Sequence, residues 1–139
     1  MNAESLVNDL TFKVHHTMLP VANLDRSIDF YTRLLGMNLQ ERHPNQARGT
    51  DVGLLGYGDE ARGLLELTQD IKENAAPEVT PANIHIGIHV GDLHRLVGIL
   101  ESEGVTFIRP LRARADGTGF GAWITDPDGH ELELVERHA

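Results

Sequence analysis

A chain of 139 residues with 40% hydrophobic content is the size of one compact domain that can bury a core unaided. With no cysteine, it has no disulfide, no thiolate metal ligand and no cysteine nucleophile. Its formal net charge of -9 and aromatic content of 5% argue against a nucleic-acid partner, which needs a basic face and stacking platforms.

The opening stretch MNAESLVNDLTFK carries acids and lacks an apolar core, and no run approaches membrane-spanning length. A soluble cytoplasmic protein acting on a small molecule, with no membrane or nucleic-acid partner, is therefore the expectation. Residues 1–11 read as a flexible extension ahead of a single domain over 12–139.

Residues 12–20, FKVHHTMLP, suit a strand. Asn23 then caps a helix whose apolar positions Leu24, Ile28, Tyr31 and Leu35 follow helical spacing until Gly36 stops it. That stripe is core. Three strand-like stretches follow, MNLQER, DVGLLGYG and GLLELTQ, and then a polar, proline-containing linker over 70–83.

The second half repeats the plan. HIGIHV begins at His85, Asp92 caps a helix with the stripe Leu93, Leu96, Val97 and Leu100, and Gly104 ends it. VTFIRP, GFGAWITD and HELELVE complete three more strands, the turn Asp126-Pro127-Asp128-Gly129 being geometric. His16 aligns with His85, Val21 with Val90, Asn23 with Asp92, Leu24 with Leu93 and Arg26 with Arg95, all in one register. The fold class expected is α+β, two tandem βαβββ modules over 12–69 and 84–137 that pair about an approximate twofold axis into a cup.

The last strands of the modules match as well, GLLELT carrying Glu66 and HELELV carrying Glu133. Alternation puts Leu64, Glu66 and Thr68 on one face, and Glu131, Glu133 and Val135 likewise. A carboxylate among leucines is costly to bury unless a charge meets it. Each module thus offers one histidine and one glutamate, and the quasi-twofold relation would bring both pairs to a common centre. Two imidazoles and two carboxylates suit a divalent cation.

His15 is expected to face away from His16. His89 shares a face with His85, so a place beside the cavity and an ordinary hydrogen-bonded role are both open to it. His43, His94, His130 and His138 sit in polar contexts and receive no role.

At HTML followed by RSIDFYTRLLGM, at LLELT, at HIGIHV and at DPDGHELELVE, the chain resembles the vicinal-oxygen-chelate superfamily and, within it, the glyoxalase I family of short bacterial type. The resemblance runs from residue 13 to 137 and implies the glyoxalase/bleomycin-resistance/extradiol-dioxygenase fold, a cupped, barrel-like sheet. It implies metal ligation by His16, Glu66, His85 and Glu133, one divalent ion per site, with nickel or cobalt preferred and zinc or manganese possible. The implied reaction isomerises the hemithioacetal of methylglyoxal and glutathione to S-lactoylglutathione. Glu133 is the implied base and Glu66 its pseudo-symmetric partner. It further implies a homodimer in which one subunit's His16 and Glu66 face the other's His85 and Glu133, a monomer pairing its own modules being the alternative.

Two stretches depart from that family's pattern. Pro20 stands where an arginine holds the γ-glutamyl carboxylate, and Gln69, Asp70 and Ile71 replace an aromatic or histidine followed by Asn-Trp. An acid at 70 repels a carboxylate rather than donating to it. Arg112 or Arg114, in a loop before the seventh strand, would supply the missing cation, so Asp70, His89, Arg112 and Arg114 are the candidate substrate contacts. Another metal-dependent enzyme of the superfamily acting without glutathione, whether isomerase, epimerase, dioxygenase or transferase, and a metal-free binding protein of the same fold are the other readings.

Overall fold

The computed structural model of the chain describes residues 6–7, 9–60, 62–79 and 84–138. Most of the expected extension, and the end of the linker at 80–83, lie outside the described residues. The elements are β1 (His16–Val21), α1 (Leu24–Asp29) continuing into a π-helical turn (Phe30–Leu34), β2 (Asn38–Asn45), β3 (Thr50–Gly56) and β4 (Leu64–Asp70), then β5 (Ile86–His89), α2 (Leu93–Ser102), β6 (Phe107–Ala113), β7 (Gly119–Thr125) and β8 (Glu131–Arg137). The βαβββ plan is present twice.

Each module forms an open four-stranded sheet, in the orders β1-β4-β3-β2 and β5-β8-β7-β6. In both, the first strand runs parallel to the last and the remaining pairs are antiparallel. The outer face of each sheet carries the apolar residues. Leu65 and Leu67 in β4, and Leu132 and Leu134 in β8, are buried with Leu24, Tyr31, Leu93 and Leu100 of the helices in one continuous core. The opposite face is left as a concave, partly polar surface.

Several boundaries differ from the sequence expectation. β1 begins at His16 rather than at residue 12, because Phe12 and Val14 have no core to enter and stay 71% and 74% exposed. β6 does not stop at Pro110 but runs to Ala113. As an edge strand it tolerates a residue without an N–H, at the cost of a register shift between Arg109 and Arg112. The first helix changes pitch after Asp29. Its wider π turn turns the consecutive residues Phe30 and Tyr31 both inward.

Polar contacts lock the two modules to each other. The Asp128 carboxylate accepts from the Ala22 amide at 3.0 Å, from Arg26 at 3.1 Å and from the Ser27 hydroxyl at 3.3 Å. The Tyr31 hydroxyl donates to Asp126 at 2.7 Å, and the His130 ring meets the Pro20 carbonyl at 2.7 Å. Asp126 also accepts from the amides of Asp128 and His130, both at 2.9 Å, so the turn that presents this latch is itself tied shut. His130 and the DPDG turn, given no role beyond geometry in the sequence, thus join the halves.

Candidate active site

Register across each sheet determines what stands beside each glutamate. In the first module Met18, Glu66, Leu54 and Glu41 lie in one row across β1, β4, β3 and β2. In the second the row is Gly87, Glu133, Trp123 and Arg109 across β5, β8, β7 and β6. Directly paired residues project to the same face, so both glutamates stand in the concave surfaces with these neighbours.

The two expected ligand pairs form. His16 Nε2 is 3.0 Å from a Glu66 carboxylate oxygen, and His85 Nε2 is 3.7 Å from one of Glu133. The four do not meet at a common centre: among the described residues no three histidine, aspartate or glutamate side chains gather closely enough to hold a metal ion. The latch holds the modules with the two His–Glu pairs apart, so self-pairing within one chain is not the arrangement observed. Each sheet carries one His–Glu pair of its own.

The two pairs are chemically unequal. Glu66 also accepts from the Thr68 hydroxyl at 3.3 Å, and the His15 and His16 Nδ1 atoms are 2.8 Å apart, so His15 turns toward its neighbour rather than away. Among the described residues Glu133 has the long contact to His85 alone, and Gly87 beside it offers no side chain to cover it. It opens into a recess of about 560 Å3 lined by Arg109, Arg112, Arg114, Gly121 and Trp123.

The candidate substrate contacts divide. Arg112 lies in β6 opposite Gly121, in the strand rather than in a loop, and its side chain reaches that recess. Arg114 follows the strand and is occupied with the Thr118 hydroxyl at 3.1 Å and Asp116 at 3.6 Å. Asp70 turns its carboxylate to the amides of Lys72 and Glu73, at 3.0 and 3.1 Å, and so fixes the start of the linker. His89 is not gathered with His85 and Glu133. It lines a separate groove of about 360 Å3 with Arg33, Leu35, Tyr57 and Leu96.

Two residues of the site escaped the sequence reading. Trp123 packs its ring on that of His85, centroids 4.6 Å apart, and the Arg109 guanidinium sits 5.5 Å from the indole centroid. Trp123 is the chain's sole tryptophan, which was visible. Its place beside Glu133 follows only from strand register.

Twice-repeated βαβββ sheets, each with a His–Glu pair on its concave face, define the class of fold. The model of the glyoxalase/bleomycin resistance protein/dioxygenase superfamily matches residues 13–134, and the chain belongs to that superfamily. Within it the chain is similar to a probable lactoylglutathione lyase of Vibrio cholerae, 36% identical over 125 residues that span 89% of this chain and 90% of that one. It is similar too to the lactoylglutathione lyase of Neisseria meningitidis serogroup A, 32% identical over 88% of each. Among solved structures it superposes on the trypanothione-dependent glyoxalase I of Leishmania major with a TM-score of 0.77 and 32% identity, covering 91% of this chain and 87% of that one. Among the described residues no helix is long and apolar enough to cross a membrane.

Proposed function

We propose that this protein is a metal-dependent glyoxalase I that isomerises the hemithioacetal of methylglyoxal and glutathione to S-lactoylglutathione. The observation that carries the proposal is the pair of equivalent His–Glu half-sites, His16–Glu66 and His85–Glu133. A borderline divalent cation, nickel or cobalt before zinc or manganese, fits donors of this kind, and it needs both pairs together. Since one chain keeps them apart, the proposed active form is a homodimer in which each site joins the His16 and Glu66 of one subunit to the His85 and Glu133 of its partner. The lactoylglutathione lyase of N. meningitidis and the probable lactoylglutathione lyase of V. cholerae among its relatives support the activity.

The reaction moves one proton between adjacent carbons and changes no overall oxidation level. Glu133 takes the proton from the carbon bearing sulfur; the electron pair left behind forms the carbon–carbon double bond of an enediolate as the neighbouring carbonyl's π pair moves onto its oxygen. The same carboxyl then returns the proton to that neighbouring carbon while the sulfur-bearing carbon's oxygen becomes the thioester carbonyl and its hydroxyl proton passes to the other oxygen. When bound, the cation supplies charge stabilisation for the two oxygens. Glu133 suits the role of base because its carboxylate is the less engaged of the two and faces the recess. Glu66, held by His16 and Thr68, is the supporting ligand and the partner base of the other face. Arg112, with no side-chain partner among the described residues and lining the recess, takes the anionic tail of the thiol.

A second reading has a specific observation behind it. Asp70 is committed to a turn and Pro20 offers only a carbonyl, which His130 already engages, so the thiol-binding half of the first module is altered. Another metal-dependent isomerase of the superfamily, acting on a vicinal-oxygen substrate without glutathione, accommodates that change. Turnover of preformed hemithioacetal by apoprotein reloaded separately with nickel, cobalt, manganese and zinc, with Glu133→Gln as control, separates the two. Thioester formation that vanishes in the variant supports glyoxalase I. Stoichiometric metal binding without thioester favours the second reading, and absence of metal binding overturns both.

A further inference from the structure

We propose that Trp123 is a positioning residue for His85, orienting the imidazole by ring contact, and that its indole is coupled to any cation the imidazole binds. The inference rests on the reading of His85 as a ligand. The tilted stack, centroids 4.6 Å apart with planes at 59°, fixes the plane of an imidazole that is 45% exposed and, among the described residues, is tied by polar contact only to Glu133 at 3.7 Å. Trp123 is itself held from two sides. Backbone pairing in the middle of the sheet sets it against Glu133, and the Arg109 guanidinium lies against its ring.

In the first module the ring against His16 is that of His15, edge-on with centroids 5.1 Å apart, and no indole stands beside it. Leu54 occupies the equivalent place beside Glu66, and Glu41 stands where Arg109 does. His16 is oriented instead by polar contacts, with Glu66 at 3.0 Å and His15 at 2.8 Å. One half-site therefore orients its imidazole by hydrogen-bonding groups and the other by an aromatic plate. An imidazole held in one plane loses less freedom when it binds a cation, and partners that orient metal-ligating side chains are commonly worth ten-fold or more in affinity.

The chain reports on this directly, because Trp123 is its sole tryptophan. Nickel or cobalt titrated into apoprotein is expected to quench the emission along the isotherm that calorimetry gives, while zinc, with its closed shell, binds with little quenching. Trp123→Phe keeps a ring against His85 and is expected to hold nickel affinity near that of the unaltered protein. Trp123→Leu, which copies Leu54, is expected to lose about ten-fold and to shift the visible spectrum of the cobalt-loaded protein.

Unchanged affinity and cobalt spectrum in a folded Trp123→Leu protein would overturn the proposal, as would stoichiometric nickel binding that leaves the emission of the unaltered chain untouched. That quenching measurement needs no variant to fold. If the unaltered protein binds no divalent cation, the reading of His85 as a ligand fails with it. Binding with indifferent indole emission removes the positioning role alone.

Discussion

Gln69 and Glu136 do the same work in the two modules. The Gln69 side-chain oxygen accepts from the Leu24 amide at 2.7 Å, and a Glu136 carboxylate oxygen accepts from the Leu93 amide at 2.8 Å. Each ties the last strand of its module to the first turn of its helix, alongside the caps Asn23 and Asp92. The departure at Gln69 is thus structural, since an amide oxygen accepts this bond as well as a carboxylate does.

The difference between the two is charge, and it predicts a pH dependence. The Leu93 amide, and then His138, hold the Glu136 carboxyl below its ordinary range. A depressed carboxyl contributes stability that is whole above the unfolded value of about 4.3 and is lost as pH falls through the folded value. Glu136→Gln should keep the bond to Leu93 and flatten the acid limb of a melting-temperature profile. Glu136→Ala should lower the melting temperature at neutral pH as well.

Tyr31 gives the opposite sign. Burial first, and the Asp126 carboxylate next, raise its hydroxyl above the ordinary tyrosine value. Its contribution is whole below about pH 10 and is lost as pH rises through the folded value. Tyr31→Phe leaves the buried Asp126 oxygen without its donor and should cost about 1–3 kcal/mol by denaturant titration. It should also lessen the fall in stability above about pH 10.

Unequal engagement of the two glutamates predicts unequal mutants. Glu133→Gln should lower kcat by roughly 10²–10⁴-fold, the range for losing a general base. Glu66→Gln should act mainly through weaker metal binding, and excess metal should restore part of its rate. Thr68→Val frees one Glu66 oxygen and should raise the share of turnover that survives in Glu133→Gln. Equal, metal-independent losses in both single variants would contradict the assigned roles.

The arginines of the recess should separate by kinetic parameter. Arg112, whose side chain has no partner among the described residues, should raise KM several-fold as Arg112→Ala with kcat nearly kept, the pattern of lost uniform binding. Arg114 braces its own loop through Thr118 and Asp116. Arg114→Ala should therefore show first as increased proteolysis near residue 116.

Much of this was legible in the chain because it is written twice. The repeat exposed the modules, the caps Asn23 and Asp92, the stops at Gly36 and Gly104, whose φ angles of 73° and 74° suit glycine, and the two His–Glu pairs. What lay hidden depends on residues far apart in sequence. Nothing local to Tyr31 announces Asp126, and nothing local to Pro20 announces His130. The length of β6 was hidden for another reason, since Pro110 ends a strand in the interior of a sheet but not at its edge. Trp123 was plain as a letter, and its meaning came only when register set it between Glu133 and Arg109.

The separation of the half-sites has a consequence for how damage combines. In the proposed dimer, a chain lacking His16 and Glu66 and a chain lacking His85 and Glu133 are each inactive alone, because both sites of either homodimer are broken. Mixed and allowed to exchange subunits, they form a heterodimer in which the intact first module of one meets the intact second module of the other. Two dead proteins then rescue each other, and the lesions complement like mutations in separate genes although they lie in one.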